Sequence, residues 1–180
     1  MKKEIFNYIE IPEGVNVSIE GDKLKVEKNG ISNEKKFDLK GITLEKKDNK
    51  IVIGDKESSK REKRNINTIT SHIKNMINGL EKPFEYHLKV CFNHFPITVE
   101  LKGDEILIKN FLGERYPRKI KVDKNVEIKI EKEFITISSH NKELAGQTAA
   151  NLEMITRIPN RDRRIFQDGI FITNKNGKQI

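Results

Sequence analysis

The chain has 180 residues and a mass of 20.9 kDa, room for one large domain or two of about 90 residues. Lys and Arg total 35 against 27 Asp and Glu, a formal net charge of +8, and 35% of residues are hydrophobic, a balance that permits folding and favours acidic partners without dictating a fold. No stretch approaches the roughly 18 consecutive apolar residues of a membrane span. The start, Met1-Lys2-Lys3-Glu4-Ile5-Phe6, has no apolar region behind its basic residues and is read as carrying no secretory signal. Cys91 is single, which excludes an internal disulfide framework and fits a reducing compartment. The expectation is a soluble cytoplasmic protein.

Val15, Val17 and Ile19 alternate, a Glu20-Gly21-Asp22 turn follows, and Leu24 and Val26 resume the alternation, the pattern of a hairpin. Ile42 and Leu44, then Ile51 and Ile53, form a second alternating pair around Lys47-Asp48-Asn49. Ile66, Ile69, Ile73, Ile77 and Leu80 make one helical stripe, and Gly79 sits where a helix tends to stop. Phe84, Tyr86, Leu88 and Val90 alternate as a strand after that helix, read as the last strand of the first copy.

The same order then recurs. Ile97, Val99 and Leu101 precede Lys102-Gly103-Asp104, with Ile106 and Ile108 beyond, and both copies open on an apolar-Pro pair, Ile11-Pro12 and Phe95-Pro96. Val126, Ile128 and Ile130 with Phe134 to Ile137 match the second pair; Leu144, Thr148, Leu152 and Ile155 match the helix, closed by Pro159; Ile170-Phe171-Ile172 is a shorter closing strand. The offset stays at 82 to 84 residues, which points to an internal duplication. The reading is an α+β protein of two tandem similar domains, 1–82 and 83–180, each a small, mostly antiparallel sheet arrangement packed on one α-helix.

Signals for catalysis are few. None of the eleven glycines belongs to a phosphate-cradling G-x-x-x-x-G-K-[ST] or G-x-G-x-x-G loop. Cys91-x-x-His94 has ligand-like spacing but no second Cys/His pair to complete a tetrahedral site, so Cys91 is read as a small buried hydrophobe. His72 on the helix and His140 in a turn have no acid or nucleophile at a telling spacing, and His87, facing opposite to Tyr86 on its strand, is read as exposed. No cofactor, metal or small-molecule substrate is expected.

The cations are more informative. Each half carries a surplus of +4, yet Arg61 and Arg64 are the only arginines of the first half, whereas Arg115, Arg118, Arg157, Arg161, Arg163 and Arg164 lie in the second. Guanidinium binds phosphate bidentately, while lysine more often serves a solvated surface. Four arginines fall between 157 and 164 in an expected loop, with Phe166 and Phe171 close behind. The arginines are read as RNA contacts, and the phenylalanines as core residues of the closing strand rather than base-stacking groups. Lys60, Arg61, Lys63 and Arg64 open the first helix, where cations oppose the macrodipole; an external anion and a plain solvated helix start both account for them.

Three tracts carry a resemblance. Ser71-His72-Ile73-Lys74-Asn75-Met76-Ile77-x-Gly79, then His94-Phe95-Pro96-Ile97 with Asn110-Phe111-Leu112-Gly113-Glu114 and Arg118, and finally Arg161-Asp162-Arg163-Arg164-Ile165-Phe166-Gln167-Asp168-Gly169-Ile170-Phe171 resemble the ribosomal large-subunit protein L-six family, archaeal and eukaryotic branch, over nearly the whole chain. The resemblance implies a duplicated α+β fold and a structural constituent of the large ribosomal subunit, without catalysis of its own. It implies binding to large-subunit rRNA near the stalk base and the sarcin–ricin loop, beside neighbouring ribosomal proteins and close to docking translational GTPases. The second domain is implied to be the main rRNA-binding one. The expected rRNA contacts are Asn110, Gly113, Arg115, Arg118, Lys119, Arg157, Arg161, Arg163, Arg164, Lys175 and Lys178, with Lys60, Arg61 and Arg64 from the first domain; Gly113 and Gly169 are expected to let backbone approach RNA closely. Departures from the family pattern are Pro159 for a basic residue, Phe171 for tyrosine, and Pro83 for glycine at the junction. Two rivals are an adaptor for an acidic protein and, more remotely, an enzyme on the same fold.

Overall fold

Residues 3–180 are described by a computed structural model, and their contacts part the chain between Lys82 and Pro83 into two units. In the first unit, β1 (Lys3–Glu10), β6 (Lys50–Ser58) and β5 (Thr43–Lys47) form an antiparallel sheet in the order β1-β6-β5. β2 (Asn16–Glu20), β3 (Lys23–Lys28) and β4 (Ile31–Lys36) form a separate meander. Strand alternation aims Val17, Leu24 and Val26 inward, where they join Ile51 and Ile53 in the core. Gly54 is required by space: a Cβ there would overlap the Phe6 ring and the carbonyl of Ile5.

The single helix among the described residues of this unit, α1 (Lys60–Glu81), buries Ile66, Ile69, Ile73, Ile77 and Leu80 against that core, each worth about 1.5–3 kcal/mol if fully removed from water. Ser59 begins it with a capping box: its Oγ accepts from Arg61 N at 3.2 Å, and Glu62 Oε2 accepts from Ser59 N at 2.9 Å. The Ser59 hydrogen bonds hold the Glu62 carboxyl below its usual pKa. Gly79 does not end the helix. It lies buried within α1, which runs to Glu81 and stops at an extended Lys82 because Pro83 disfavours helical backbone in the residue before it.

The second unit repeats the plan and extends it. β7 (Phe84–Cys91), β12 (Phe134–Ser139) and β11 (Glu127–Glu131) pair as β1, β6 and β5 do, and β8 (Thr98–Lys102), β9 (Glu105–Lys109) and β10 (Arg118–Lys121) repeat the meander. On the free side of β7 lie β13 (Gly169–Lys175) and the short β14 (Lys178–Gln179), giving the order β11-β12-β7-β13-β14. α2 (Lys142–Ile155) packs on this sheet through Ala145, Thr148, Ala149 and Leu152, with Gly146 admitting the Tyr86 hydroxyl.

The Phe84–Val90 strand therefore opens the second unit instead of closing the first. Its hydrogen-bond partners are β12 and β13, both in the second unit. Its counterpart is β1, a strand the sequence pattern does not announce, and β13 has no equivalent among the described residues of the first unit.

Candidate nucleic-acid interface

The arginine-rich tract is a loop anchored at both ends by buried polar residues. At its start Thr156, 3% exposed, donates from Oγ1 to Glu153 O at 3.1 Å and accepts from Ile170 N at 3.0 Å, stapling the end of α2 to the start of β13. At its finish Asp168, 2% exposed, accepts from Asn93 N at 2.8 Å, from His94 N at 3.0 Å and from His94 Nδ1 at 2.7 Å. Burial pushes the Asp168 pKa up, but these donors outweigh it and hold the carboxyl below its ordinary value. Between the anchors, Asp162 accepts from Arg164 N at 2.9 Å and its carbonyl from Phe166 N at 2.9 Å, and Asn160 takes a left-handed φ of 56°. The loop thus has internal turns of its own.

Within it the arginines differ in what they hold. Arg164 lies in water but pairs with Asp162, Nη2 to Oδ2 at 2.8 Å and Nε to Oδ1 at 3.1 Å; the Arg164 hydrogen bonds lower the Asp162 pKa, and Asp162 raises that of Arg164. The Arg161 guanidinium lies 5.3 Å from the centre of the Phe166 ring, which itself stacks on His94 at 4.8 Å and 13° between planes. Arg157 and Arg163 are exposed on an open cleft. Arg157, Arg161 and Arg163 have no carboxylate partner among the described residues.

Phe166 and Phe171 are not core residues. Phe166 is half-buried and in contact with both His94 and Arg161, and Phe171 remains 43% exposed on β13. Gly169 is buried, with a Cβ there meeting the Phe171 ring at 3.1 Å, so packing accounts for the glycine and its backbone offers no approach to RNA. Cys91 is only half-buried and borders the same cleft. His94 gains an acid partner from far along the chain, which spacing does not reveal. His87 is half-exposed beside Thr136, at 3.2 Å from its hydroxyl.

The other second-unit motif forms a tight turn. Asn110 adopts φ 57°, Leu112 φ 49° and Gly113 φ 78° around a single 3-10 turn, Phe111–Gly113. Asn110 Nδ2 donates to Pro96 O at 3.0 Å, and Gly113 lies under the Phe95 ring. Arg118 closes this turn: Nε donates to Glu114 Oε2 at 2.9 Å, Nη1 donates to the carbonyl of Ile155, and the guanidinium covers the Phe111 ring at 4.2 Å. The Arg118 hydrogen bond also keeps the Glu114 carboxyl below its usual range. Each nitrogen of the Arg118 guanidinium is therefore engaged within the unit. Arg115 and Lys119 are exposed, as is Tyr116 at 79%, a side chain the sequence reading passes over.

Lys175 and Lys178 flank the Asn176-Gly177 turn of the β13–β14 hairpin, both exposed. On the first unit, Lys60, Arg61 and Arg64 are exposed at the start of α1; Lys60 and Arg64 border a shallow groove of about 550 Å³ with Asn67, Thr68 and Ser71. No cluster of three or more His, Cys, Asp or Glu fit to hold a metal occurs among the described residues, and no helix is long and apolar enough to cross a membrane.

The described residues thus form two α+β repeats that carry exposed cationic loops and turns. The family described as Ribosomal protein L6 matches residues 95–169. Large ribosomal subunit protein uL6 of Sulfurisphaera tokodaii is 41% identical over 172 residues, covering 95% of this chain and 92% of the relative. The uL6 proteins of Methanococcus vannielii and Methanobrevibacter smithii are 41% and 42% identical, over 96% and 93% of this chain and 94% of each relative. The chain belongs to the ribosomal protein L6 family, whose role is structural and not enzymatic.

Proposed function

We propose that this chain is a structural constituent of the large ribosomal subunit in the cytoplasm. It binds large-subunit rRNA chiefly through residues 83–180, near the stalk base and the sarcin–ricin loop, with ribosomal proteins of the stalk base as neighbours and translational GTPases docking nearby. The observation that carries the reading is the loop between α2 and β13. Its Arg157, Arg161 and Arg163 have no carboxylate partner among the described residues, on backbone fixed at both ends by the buried Thr156 and Asp168. An ordered loop presenting three such guanidiniums is a preorganised phosphate site, since little further ordering cost attends binding. Arg115, Lys119, Lys175 and Lys178 supply further exposed charge, and Lys60, Arg61 and Arg64 give the first unit a smaller share. Arg118 acts by shaping the Asn110–Gly113 turn that presents Arg115.

Filter binding of the purified chain to deproteinised large-subunit rRNA tests this. If six to ten phosphates are engaged, affinity falls about 10³- to 10⁵-fold between 50 and 200 mM salt. Substituting Arg157, Arg161 and Arg163 together by Ala makes the salt dependence shallower by about two to three units of log–log slope, at unchanged melting temperature. An unchanged slope removes the loop from the interface.

A further inference from the structure

The cleft beside the arginine loop has two kinds of wall. Its volume is about 930 Å³, within the roughly 300–1,000 Å³ typical of small-ligand sites. One part is apolar, formed by Met154 at the end of α2, Ile158, Phe166 and Phe171; Met154 is 66% and Phe171 43% exposed. Arg157 and Arg163 border it. The acids in its walls are already engaged: Glu153 Oε1 accepts from Ile172 N at 3.4 Å, and Asp168 holds its three donors. The charged hydrogen-bond donors left for an incoming anion are therefore those of Arg157 and Arg163.

An inorganic anion would use the arginines and leave the apolar surface wet. An apolar peptide side chain would do the reverse. A flat ring with an anion at its edge satisfies both, and an unpaired nucleotide is such a group: its base stacks on aromatic and thioether surface while its phosphate takes the guanidiniums. We propose that this cleft receives one unstacked nucleotide of the bound RNA, with the base on Phe171 and Met154 and the phosphate on Arg157 and Arg163. The inference rests on the rRNA-binding reading and adds to it a site for a base, where that reading invokes only phosphates.

The test uses the full chain, deproteinised large-subunit rRNA, and the double variant Met154→Ala/Phe171→Ala. Both side chains are substantially exposed, so the fold should survive, which the melting temperature checks. Filter binding at several salt concentrations is combined with 2′-hydroxyl acylation of the RNA with and without protein. The expected result is a Kd raised about 5- to 100-fold at an unchanged salt slope. One unpaired nucleotide whose reactivity changes in the wild-type complex should return to its free value in the variant complex. Phe171→Trp, which keeps a ring, should bind as the wild type does, and a weak Phe171→Trp variant of normal melting temperature counts against the proposal. Equal Kd and an identical reactivity pattern for the double variant overturn the nucleotide site while leaving phosphate binding by the arginines intact. Absence of any binding by the wild-type chain overturns the rRNA reading itself, and this inference with it.

Discussion

The Asp168 carboxylate and the His94 imidazole meet at 2.7 Å, Oδ2 to Nδ1, although 74 residues separate them in the chain. The other carboxylate oxygen takes the backbone N–H groups of Asn93 and His94. One buried acid thus ties the segment leaving β7 to the segment entering β13, and the His94 ring carries the tie on to Phe166 and Arg161 by stacking.

Removing that acid should loosen the loop as well as the unit. Asp168→Ala leaves three donors without their acceptor and should cost about 2–4 kcal/mol. Thermal denaturation would show this as a lowered transition, with hydrogen exchange at Asn93 and His94 accelerated. A melting temperature within error of the wild type would show that the contact does not hold the loop.

The same group makes stability depend on pH in a known direction. The folded-state pKa of Asp168 is depressed, so its contribution is fully present above the unfolded carboxylate pKa of about 4. It is lost as pH falls below that value and through the folded pKa. Asp168→Asn should therefore show a shallower loss of stability than the wild type below about pH 4, read from urea denaturation at a series of pH values. Parallel curves would assign the acid sensitivity to other carboxylates.

Arg118 should behave as a structural arginine. Its links to Glu114, the Ile155 carbonyl and the Phe111 ring place positive charge at the C-terminal end of α2, where the macrodipole favours it. Arg118→Ala should lower stability by about 1–3 kcal/mol, and Arg118→Lys should restore only part because it cannot span Glu114 and Ile155 together. The salt slope of rRNA binding should stay as in the wild type. A slope reduced by about one unit at unchanged stability would instead make Arg118 a phosphate ligand.

Much of the fold is legible because alternation marks strands with one buried face, as in Leu24 and Val26, both 0% exposed. β1 is hidden since only Ile9 is buried on it and Tyr8 is 63% exposed; β4, with Ser32, Asn33, Glu34, Lys35 and Lys36, shows almost no apolar signal. The periodicity of Phe84 to Val90 announces a strand without naming its partners, which β12 and β13 supply from far along the chain. The repeat at an offset of 82 to 84 residues announces the duplicated fold, the resemblance implies the same, and the relatives agree on the family. The density of arginines at 157–164 is plain in the sequence. Which of them are committed is not: Arg118 is engaged by Ile155, 37 residues away, and Phe166 is drawn out of the core by His94.

The central claim is that this chain works as part of the large ribosomal subunit. Its most direct test is sucrose-gradient sedimentation of gently lysed cells at low magnesium, following the chain by immunoblot. Stoichiometric migration with the dissociated large subunit is the predicted result. Recovery at the top of the gradient, even at low salt, would contradict it and favour an adaptor for an acidic protein.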